Sequence, residues 1–215
     1  MPTKVLVIYY SLHGHVETLA RAVAAGAESV RNAEVRIRRV RDAGDGKPVQ
    51  GADDDATLDD LRWADGIAWG TPTRYGTMAT PMKRFLDGLV DVWKRGELED
   101  KPAGVFTSSA SIHGGQESTI LTTMVPLLHF GMIFVGTPYM QNPQIMTADA
   151  IGGSPYGPST VAGPDDSRRV VEAELRTARN LGIRIARVAS ALKIVRVTTL
   201  QGRDVDAPAY DTLDP

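Results

Sequence analysis

Apolar runs alternate with amphipathic stretches along most of the chain. The opening run, Val5 to Tyr9, is apolar and β-branched as a buried strand requires, and apolar residues at helical spacing follow from Val16 to Val30. Residues 34–40 alternate apolar and charged positions, which is typical of a strand near a sheet edge. Further strands are predicted at 66–69, 102–108 and 131–135. This alternation predicts a mostly parallel sheet with helices on both faces.

The segments between these strands predict helices and loops. Helical patterns are present at Leu58–Trp63, from Pro81, at Gln116–His129 and from 168 to about 192. Pro126 lies inside the third helix and predicts a local bend. Residues 136–167 are rich in Gly and Pro and lack periodicity, so we expect a long functional loop there. The run Asp53 to Asp55 is expected to be a solvated surface loop.

Five strand patterns, with polar loops after the first, third and fourth, indicate an α/β fold of the flavodoxin type. We expect a three-layer sandwich around a five-stranded parallel sheet of order 2-1-3-4-5, with the ligand at the carboxyl ends of the strands. Residues 1–193 are predicted to form this domain. For the tail, residues 194–215, we expect disorder, with an extra edge strand or a partner contact as alternatives.

Composition narrows the class of protein. A net charge of -2 gives no reason to expect nucleic acid or an anionic membrane as partner. The chain has no cysteine, so redox chemistry would belong to a bound organic cofactor. We see no signal-peptide pattern and no apolar run long enough for a membrane span, and we therefore expect a cytoplasmic protein.

The loop after the first strand is the strongest candidate site. A helix begins directly behind it, so its backbone N–H groups and the helix dipole favour a phosphate. The loop matches neither G-x-x-x-x-G-K-[ST] nor G-x-G-x-x-G, which leaves a mononucleotide, and FMN is the candidate that suits this fold. The predicted phosphate-binding residues are Ser11, Leu12, His13, Gly14, His15 and Val16.

Two further loops converge on the same edge of the predicted sheet. The first would run along the flavin ring, where backbone amides could stabilise the reduced flavin, and Tyr75 or Trp93 could stack on it. The second would cover the opposite edge of the ring and the ribityl chain. Their predicted cofactor-binding residues are Thr71, Pro72, Thr73, Arg74, Tyr75 and Gly76 for the first, and Ser108, Ser109, Ala110, Ser111, Ile112, His113 and Gly114 for the second.

Histidines are the remaining candidates for chemistry. His129, at a helix end, could donate a proton to a substrate oxygen, although a structural histidine fits its position equally well. His13 and His15 have a spacing that could suggest a metal pair. A zinc site needs three or four ligands, and no acidic or thiol partner is indicated nearby, so we predict no metal.

Four segments together resemble the WrbA-type NAD(P)H:quinone oxidoreductases, and the similarity runs from residue 4 to about 193. The segments are Val-Leu-Val-Ile-Tyr-Tyr-Ser-Leu-His-Gly-His-Val-Glu-Thr-Leu-Ala, Gly-Thr-Pro-Thr-Arg-Tyr-Gly, Gly-Gly-Gln-Glu-Ser-Thr and Gly-Gly-Ser-Pro-Tyr-Gly-Pro-Ser-Thr-Val-Ala-Gly. The resemblance implies one FMN per subunit, a homotetramer built as a dimer of dimers, and two-electron reduction of quinones by NADH or NADPH.

The resemblance also assigns roles to individual residues. It implies FMN contacts from Ser11–Val16, Thr73–Tyr75, Ser108–His113 and His129, and a substrate-pocket wall at Trp93, contributed by the same or a neighbouring subunit. One member of the family has tyrosine at the position of His13, where it touches the nicotinamide nucleotide, so the choice between NADH and NADPH stays open. The loop after the fourth strand is one residue longer than the family pattern.

We therefore hypothesise a ping-pong reaction at one flavin, in which NAD(P)H reduces the flavin, leaves, and is replaced by the quinone. His129 is the expected catalytic proton donor, and Trp93 and His13 are expected to bind substrates. The alternative is a flavodoxin-type electron carrier that docks onto protein partners. Such carriers usually present a strongly acidic face, and the balance of 26 acidic and 24 basic residues disfavours one.

Overall fold

One sheet organises the molecule. The computed structural model describes residues 1–42 and 53–200. Within these residues the strands are β1 (Thr3–Tyr9), β2 (Ala33–Arg39), β3 (Gly66–Arg74), β4 (Thr77–Met78), β5 (Pro102–Ser109), β6 (Ile133–Phe134) and β7 (Ser159–Val161). Their order is β2-β1-β3-β5-β6, with β7 also paired to β5 and β4 paired to β3. The pairs of the main path are all parallel, and β4 alone runs antiparallel to its neighbour.

Helices cover both faces of this sheet. They are α1 (His15–Glu28), α2 (Leu58–Trp63), α3 (Thr80–Asp87), α4 (Val90–Lys94), α5 (Gln116–His129) and α6 (Glu172–Leu200). Successive β1 side chains alternate between two cores: Val5 and Val7 pack with α1 and α6, whereas Leu6 and Ile8 pack with α2 to α5. The predicted three-layer, flavodoxin-like sandwich is confirmed, and α5 remains one helix across Pro126.

The pair α1 and α6 is packed closely because glycines stand where the two helices meet. A Cβ at Gly26 would lie 2.0 Å from the Arg179 carbonyl oxygen, and a Cβ at Gly182 would lie 1.9 Å from the Val23 carbonyl oxygen. No side chain fits these two positions without moving one helix backbone away from the other. This contact holds the first and last helices of the fold together.

The fifth strand position is divided between two short strands, which corrects the prediction of one strand at 131–135. β6 pairs only with the beginning of β5, at Pro102 and Ala103. β7 pairs with the end of β5, from Thr107 to Ser109, inside the segment that we expected to lack regular structure. Between them the chain leaves the sheet and returns at Gly157, where a Cβ would lie 2.1 Å from the Val105 carbonyl oxygen. The order 2-1-3-4-5 is therefore confirmed with its last strand interrupted.

β3 is longer than predicted, because residues 71–74 continue the strand that we ended at Trp69. Thr73 and Arg74 pair with β4 across a two-residue turn, in which Tyr75 and Gly76 have φ angles of 53° and 80°. Positive φ at both central residues gives a turn whose twist matches that of the flanking strands. The predicted loop 71–76 is thus a strand end followed by a tight hairpin.

α2 begins with a capping box, and Leu58–Trp63 are helical as predicted. The Asp60 carboxylate accepts hydrogen bonds from the Thr57 N–H at 3.1 Å and the Thr57 hydroxyl at 2.7 Å, and it pairs with Arg38 at 3.1 Å. Burial alone would raise the pKa of Asp60, but the Thr57 hydrogen bonds and the Arg38 charge outweigh it and hold this pKa below its usual value.

The acidic run is not simply solvated, which corrects another expectation. Only Asp54 is largely exposed, since Asp53 receives the Tyr9 hydroxyl at 2.8 Å and pairs with Arg21. Burial, and then this hydrogen bond, raise the pKa of Tyr9. Asp55 pairs with Arg39 at 3.1 Å. These carboxylates secure the chain beside the end of β2.

The last helix continues beyond its predicted end near 192 and reaches Leu200, so residues 194–200 are helical rather than disordered, as we expected, or an edge strand. The remainder of the tail, 201–215, lies outside the described residues, and the domain limit at 193 stays a prediction. Among the described helices, none is sufficiently long and apolar to cross a membrane.

Candidate functional site

A cleft of about 310 Å³ opens at the carboxyl ends of β1, β3, β5 and β7. Three of the predicted loops meet there, as the switch in strand order predicts. Thirteen predicted residues line it: Ser11, Leu12, His13, His15, Val16, Pro72, Thr73, Arg74, Ser108, Ser109, Ala110, Ser111 and Gly114. Its remaining lining residues, Ala162, Pro164 and Asp166, come from the loop 136–167, which we expected to be functional without assigning any of its residues to the site.

The loop between β1 and α1 has the geometry of an anion cradle. Gly14 is the N-cap of α1, with φ of 88°, and no side chain caps this end of the helix. The Gly14 N–H donates to the Ser11 hydroxyl oxygen at 3.1 Å, which draws the loop into a tight turn. The first N–H groups of α1 therefore lie at the cleft without a capping side chain, where a phosphate would be their natural partner. The residues present fit the phosphate of FMN.

The loop between β5 and α5 forms a second wall and is fastened by one side chain. Gln116 donates to the Ile112 carbonyl oxygen at 3.2 Å and to the Ser111 carbonyl oxygen at 3.4 Å, and its own oxygen accepts a hydrogen bond from the Ser159 hydroxyl. The Ser109 hydroxyl donates to the Ser111 carbonyl oxygen at 2.7 Å. Gln116 thereby connects this loop to β7.

Threonine hydroxyls organise the third wall, at the end of β3. Thr71 is fully buried, and its hydroxyl accepts the Ala79 N–H at 3.0 Å. The Thr73 hydroxyl accepts the Gly76 N–H at 3.2 Å and receives the Thr119 hydroxyl at 2.7 Å. These bonds set the hairpin against α5. Thr71 therefore supports the wall from behind, while Pro72, Thr73 and Arg74 line the cleft itself.

Charged and titratable groups at the cleft are few. Among its described lining residues, Arg74 is the only permanently cationic side chain, and Asp166 is the only carboxylate. His13 lies 3.5 Å from Asp166, and both side chains are largely exposed. One ring nitrogen of His15 lies 2.9 Å from the Arg168 carbonyl oxygen. A phosphate here would depend on backbone N–H groups and serine hydroxyls rather than on ion pairs.

Several predicted residues lie beside the cleft rather than in its lining. Tyr75 is fully exposed at the hairpin turn, next to Gly76. Ile112 and His113 line a different cavity, of about 500 Å³, together with residues of the α5 N-terminus. The roles assigned to these residues stay predictions.

His129 and Trp93 are brought together by the fold, but away from the cleft. The Trp93 indole N–H donates to the His129 carbonyl oxygen at 2.9 Å, and the Trp93 side chain is 40% exposed. His129 lines a separate cavity of about 590 Å³ between α3 and α5, with Val125 and Pro126. Within one chain, neither residue lies among those that line the cleft. Their predicted roles toward FMN and quinone thus require something beyond this single chain.

The prediction missed two side chains that hold the cleft in place, Gln116 and Glu174. Gln116 belongs to the segment Gly-Gly-Gln-Glu-Ser-Thr that resembles the family, but we predicted no role for its side chain. Glu174 is fully buried and accepts hydrogen bonds from Gly152, Thr160 and Val171, which lie on either side of the segment that carries Ala162, Pro164 and Asp166. Glutamate in the first turn of a helix is common and usually exposed, so the sequence pattern carried no signal of this burial.

Comparisons with known proteins agree with a flavin-binding cleft in a flavodoxin-like fold. Residues 3–147 match the family NADPH-dependent FMN reductase. A protein of Geotalea uraniireducens described as NAD(P)H dehydrogenase (quinone) is 45% identical over 200 residues, which cover 88% of this chain and 98% of that protein. A protein of Sinorhizobium fredii with the same description is 46% identical over 197 residues, again 88% of this chain and 98% of the relative.

The chain belongs to the NAD(P)H dehydrogenase (quinone) family. A solved structure, the flavodoxin, WrbA-like protein from Agrobacterium tumefaciens, agrees with this: it has a TM-score of 0.65 at 26% identity and covers 88% of this chain and 98% of its own. A flavodoxin from the domain Archaea, at 22% identity and a TM-score of 0.58, shows the fold alone. The resemblance to WrbA-type proteins is confirmed.

Within residues 1–42 and 53–200, no group of three or more His, Asp or Glu side chains is placed to hold a metal ion. His13 and His15 point to different partners, Asp166 and the Arg168 carbonyl oxygen, rather than to one shared position.

Proposed function

We propose that this protein reduces quinones to hydroquinones with NADH or NADPH as electron donor and FMN as cofactor. The observation that carries the proposal is the uncapped N-terminus of α1 at the mouth of a cleft in a flavodoxin-like sheet. Relatives about 45% identical over most of the chain, described as NAD(P)H dehydrogenase (quinone), supply the reaction class. The chain is thus an oxidoreductase of this type.

Different segments of the cleft would bind the phosphate and the ring of the cofactor. The N–H groups at the start of α1 and the Ser11 hydroxyl would hold the phosphate, and the strand end from Pro72 to Arg74 and the loop from Ser108 would flank the ring. FMN, when bound, supplies a two-electron acceptor that takes hydride from NAD(P)H and gives it to a quinone. The protein contributes position, exclusion of water, and backbone dipoles that favour negative charge at the ring.

We also propose that the active form is a homotetramer in which a neighbouring subunit completes the site. The support is an exposed apolar stripe along α5, formed by Leu121, Val125 and Leu128, beside Trp93 and His129. Such a stripe is costly to leave in water and is typical of an interface between copies. Docked on a neighbour, it would place His129 as proton donor and Trp93 as a wall close to that neighbour's cleft. The cytoplasmic location stays a prediction.

Steady-state turnover tests the proposed reaction. Protein saturated with FMN should oxidise NAD(P)H in the presence of a simple benzoquinone, with one hydroquinone formed per nicotinamide consumed. The same protein without flavin should be inactive. Activity that appears only when a redox protein partner is added would instead indicate a flavodoxin-type carrier and would overturn the proposal.

A further inference from the structure

The fourth side of the cleft is an irregular segment of the chain. We call residues 162–168, between β7 and α6, the wall segment. Ala162, Pro164 and Asp166 line the cleft, yet the wall segment forms neither helix nor strand. Its direct backbone link to the sheet is the hydrogen bond from the Ala162 N–H to the Ser109 carbonyl oxygen at 2.7 Å. A loop of this kind would be mobile unless side chains held it.

One buried carboxylate binds the chain on both sides of the wall segment. Glu174 is 0% exposed. One of its oxygens accepts the Gly152 N–H at 2.8 Å and the Val161 N–H at 3.4 Å, and the other accepts the Thr160 hydroxyl at 2.7 Å and the Val171 N–H at 3.1 Å. Val161 and Val171 flank the wall segment, so this single side chain closes it into a loop of fixed span.

Arg168 neutralises this carboxylate and extends the network to the phosphate loop. Its guanidinium lies 3.1 Å from the Glu174 carboxylate and donates to the Val161 carbonyl oxygen at 2.6 Å. The carbonyl oxygen of the same Arg168 contacts the His15 ring at 2.9 Å, and His15 is the first residue of α1. The network therefore runs from α6 through the wall segment to the helix end that faces the cleft.

We infer that the Arg168–Glu174 pair is the positioning element of the cofactor cleft, which sets the distance between the wall segment and the phosphate loop. Neither side chain lines the cleft, so both act through Ala162, Pro164, Asp166 and His15. The inference rests on the proposed function insofar as FMN occupies this cleft. Because Glu174 bonds the residues at both ends of the wall segment, the pair acts on the lining of the cleft as well as on the stability of the fold.

Two variants and one control separate positioning from stability. Glu174→Gln removes the charge while keeping the size, and Arg168→Met leaves the carboxylate with its four other donors. Asp65→Asn is the control, because Asp65 accepts Lys193 from α6 at 2.6 Å and the Lys4 N–H at 2.9 Å, far along the helix from the cleft. The readouts are the FMN dissociation constant by flavin fluorescence and the melting temperature of the apoprotein.

Both cleft-side variants should raise the FMN dissociation constant at least tenfold, while the control changes it less than twofold at a similar loss of melting temperature. The inference fails if Arg168→Met, folded at the assay temperature, binds FMN as tightly as the unaltered protein. It also fails if Asp65→Asn weakens FMN equally, since the effect would then follow stability alone. If the unaltered chain itself does not bind FMN, the proposed function fails, and the network loses its ligand.

Discussion

Gly14→Ala tests the anion cradle because its effect on the stability of the free protein can be separated from its effect on FMN binding. Gly14 has φ of 88°, and a Cβ there would meet no atom within 4 Å. In the free protein the added methyl group therefore costs only backbone strain, which is about 1–2 kcal/mol in the left-handed region. A stiffer unfolded chain returns about 0.4–1 kcal/mol of this, so we expect a net loss of about 1 kcal/mol.

The substitution should destabilise the FMN-bound protein more than the free protein. The methyl group would occupy open space at the N-cap of α1, and we expect it to keep at least one N–H group from reaching the phosphate. A hydrogen bond to a charged group is worth about 1.5–3 kcal/mol, so the FMN dissociation constant should rise by about ten- to a hundredfold.

Gly96→Ala is the matched control. Gly96 has φ of 61°, and a Cβ there would meet only the flexible Glu99 carboxylate, at 3.0 Å. Both variants should lower the melting temperature of the apoprotein by about 2–4 °C. Only Gly14→Ala should weaken FMN in a fluorescence titration. Equal affinity in both variants and in the unaltered protein would refute the assignment of the phosphate to this loop.

Three further predictions address stability, assembly and chemistry. Asp60→Asn should cost about 1–3 kcal/mol in chemical unfolding at neutral pH. Because the folded-state pKa of Asp60 is lowered, the stabilisation that its carboxylate provides is complete above about pH 4 and fades below it. The difference in unfolding free energy between the variant and the unaltered protein should therefore shrink in acid. A difference that grows in acid would contradict this role of Asp60. Val125→Glu should convert tetramers to smaller species in light scattering, and an unchanged mass would place the interface elsewhere. His129→Ala should slow quinone turnover with FMN still bound, and full turnover would remove it as proton donor.

Local patterns predicted most of the elements well, because their signals lie in adjacent residues. Leu58–Trp63 combines a capping box with apolar spacing, and the helix over Gln116–His129 was found with its limits. The phosphate loop could be predicted for the same reason, since a strand pattern, a glycine and a helix pattern follow one another directly in the sequence. Five of its six predicted residues line the cleft, and the sixth, Gly14, is the N-cap of α1.

Features that depend on distant contacts could not be predicted in this way. The return of the chain to the sheet at Gly157 depends on a close approach to the Val105 carbonyl oxygen of β5, and no local pattern records that approach. Glu174 is buried only because five donors converge on it from three parts of the chain. His129 and Trp93 are neighbours in space, but the cleft that they were expected to serve lies elsewhere on the same chain.

The most direct measurement is an anaerobic absorbance titration of the purified protein with FMN, then NAD(P)H, then a quinone. We expect one flavin bound per chain, loss of its absorbance on addition of NAD(P)H, and full recovery on addition of a stoichiometric amount of quinone. Folded protein that leaves FMN free in solution would refute the cofactor assignment, and bound flavin that NAD(P)H fails to bleach would refute the proposed reaction.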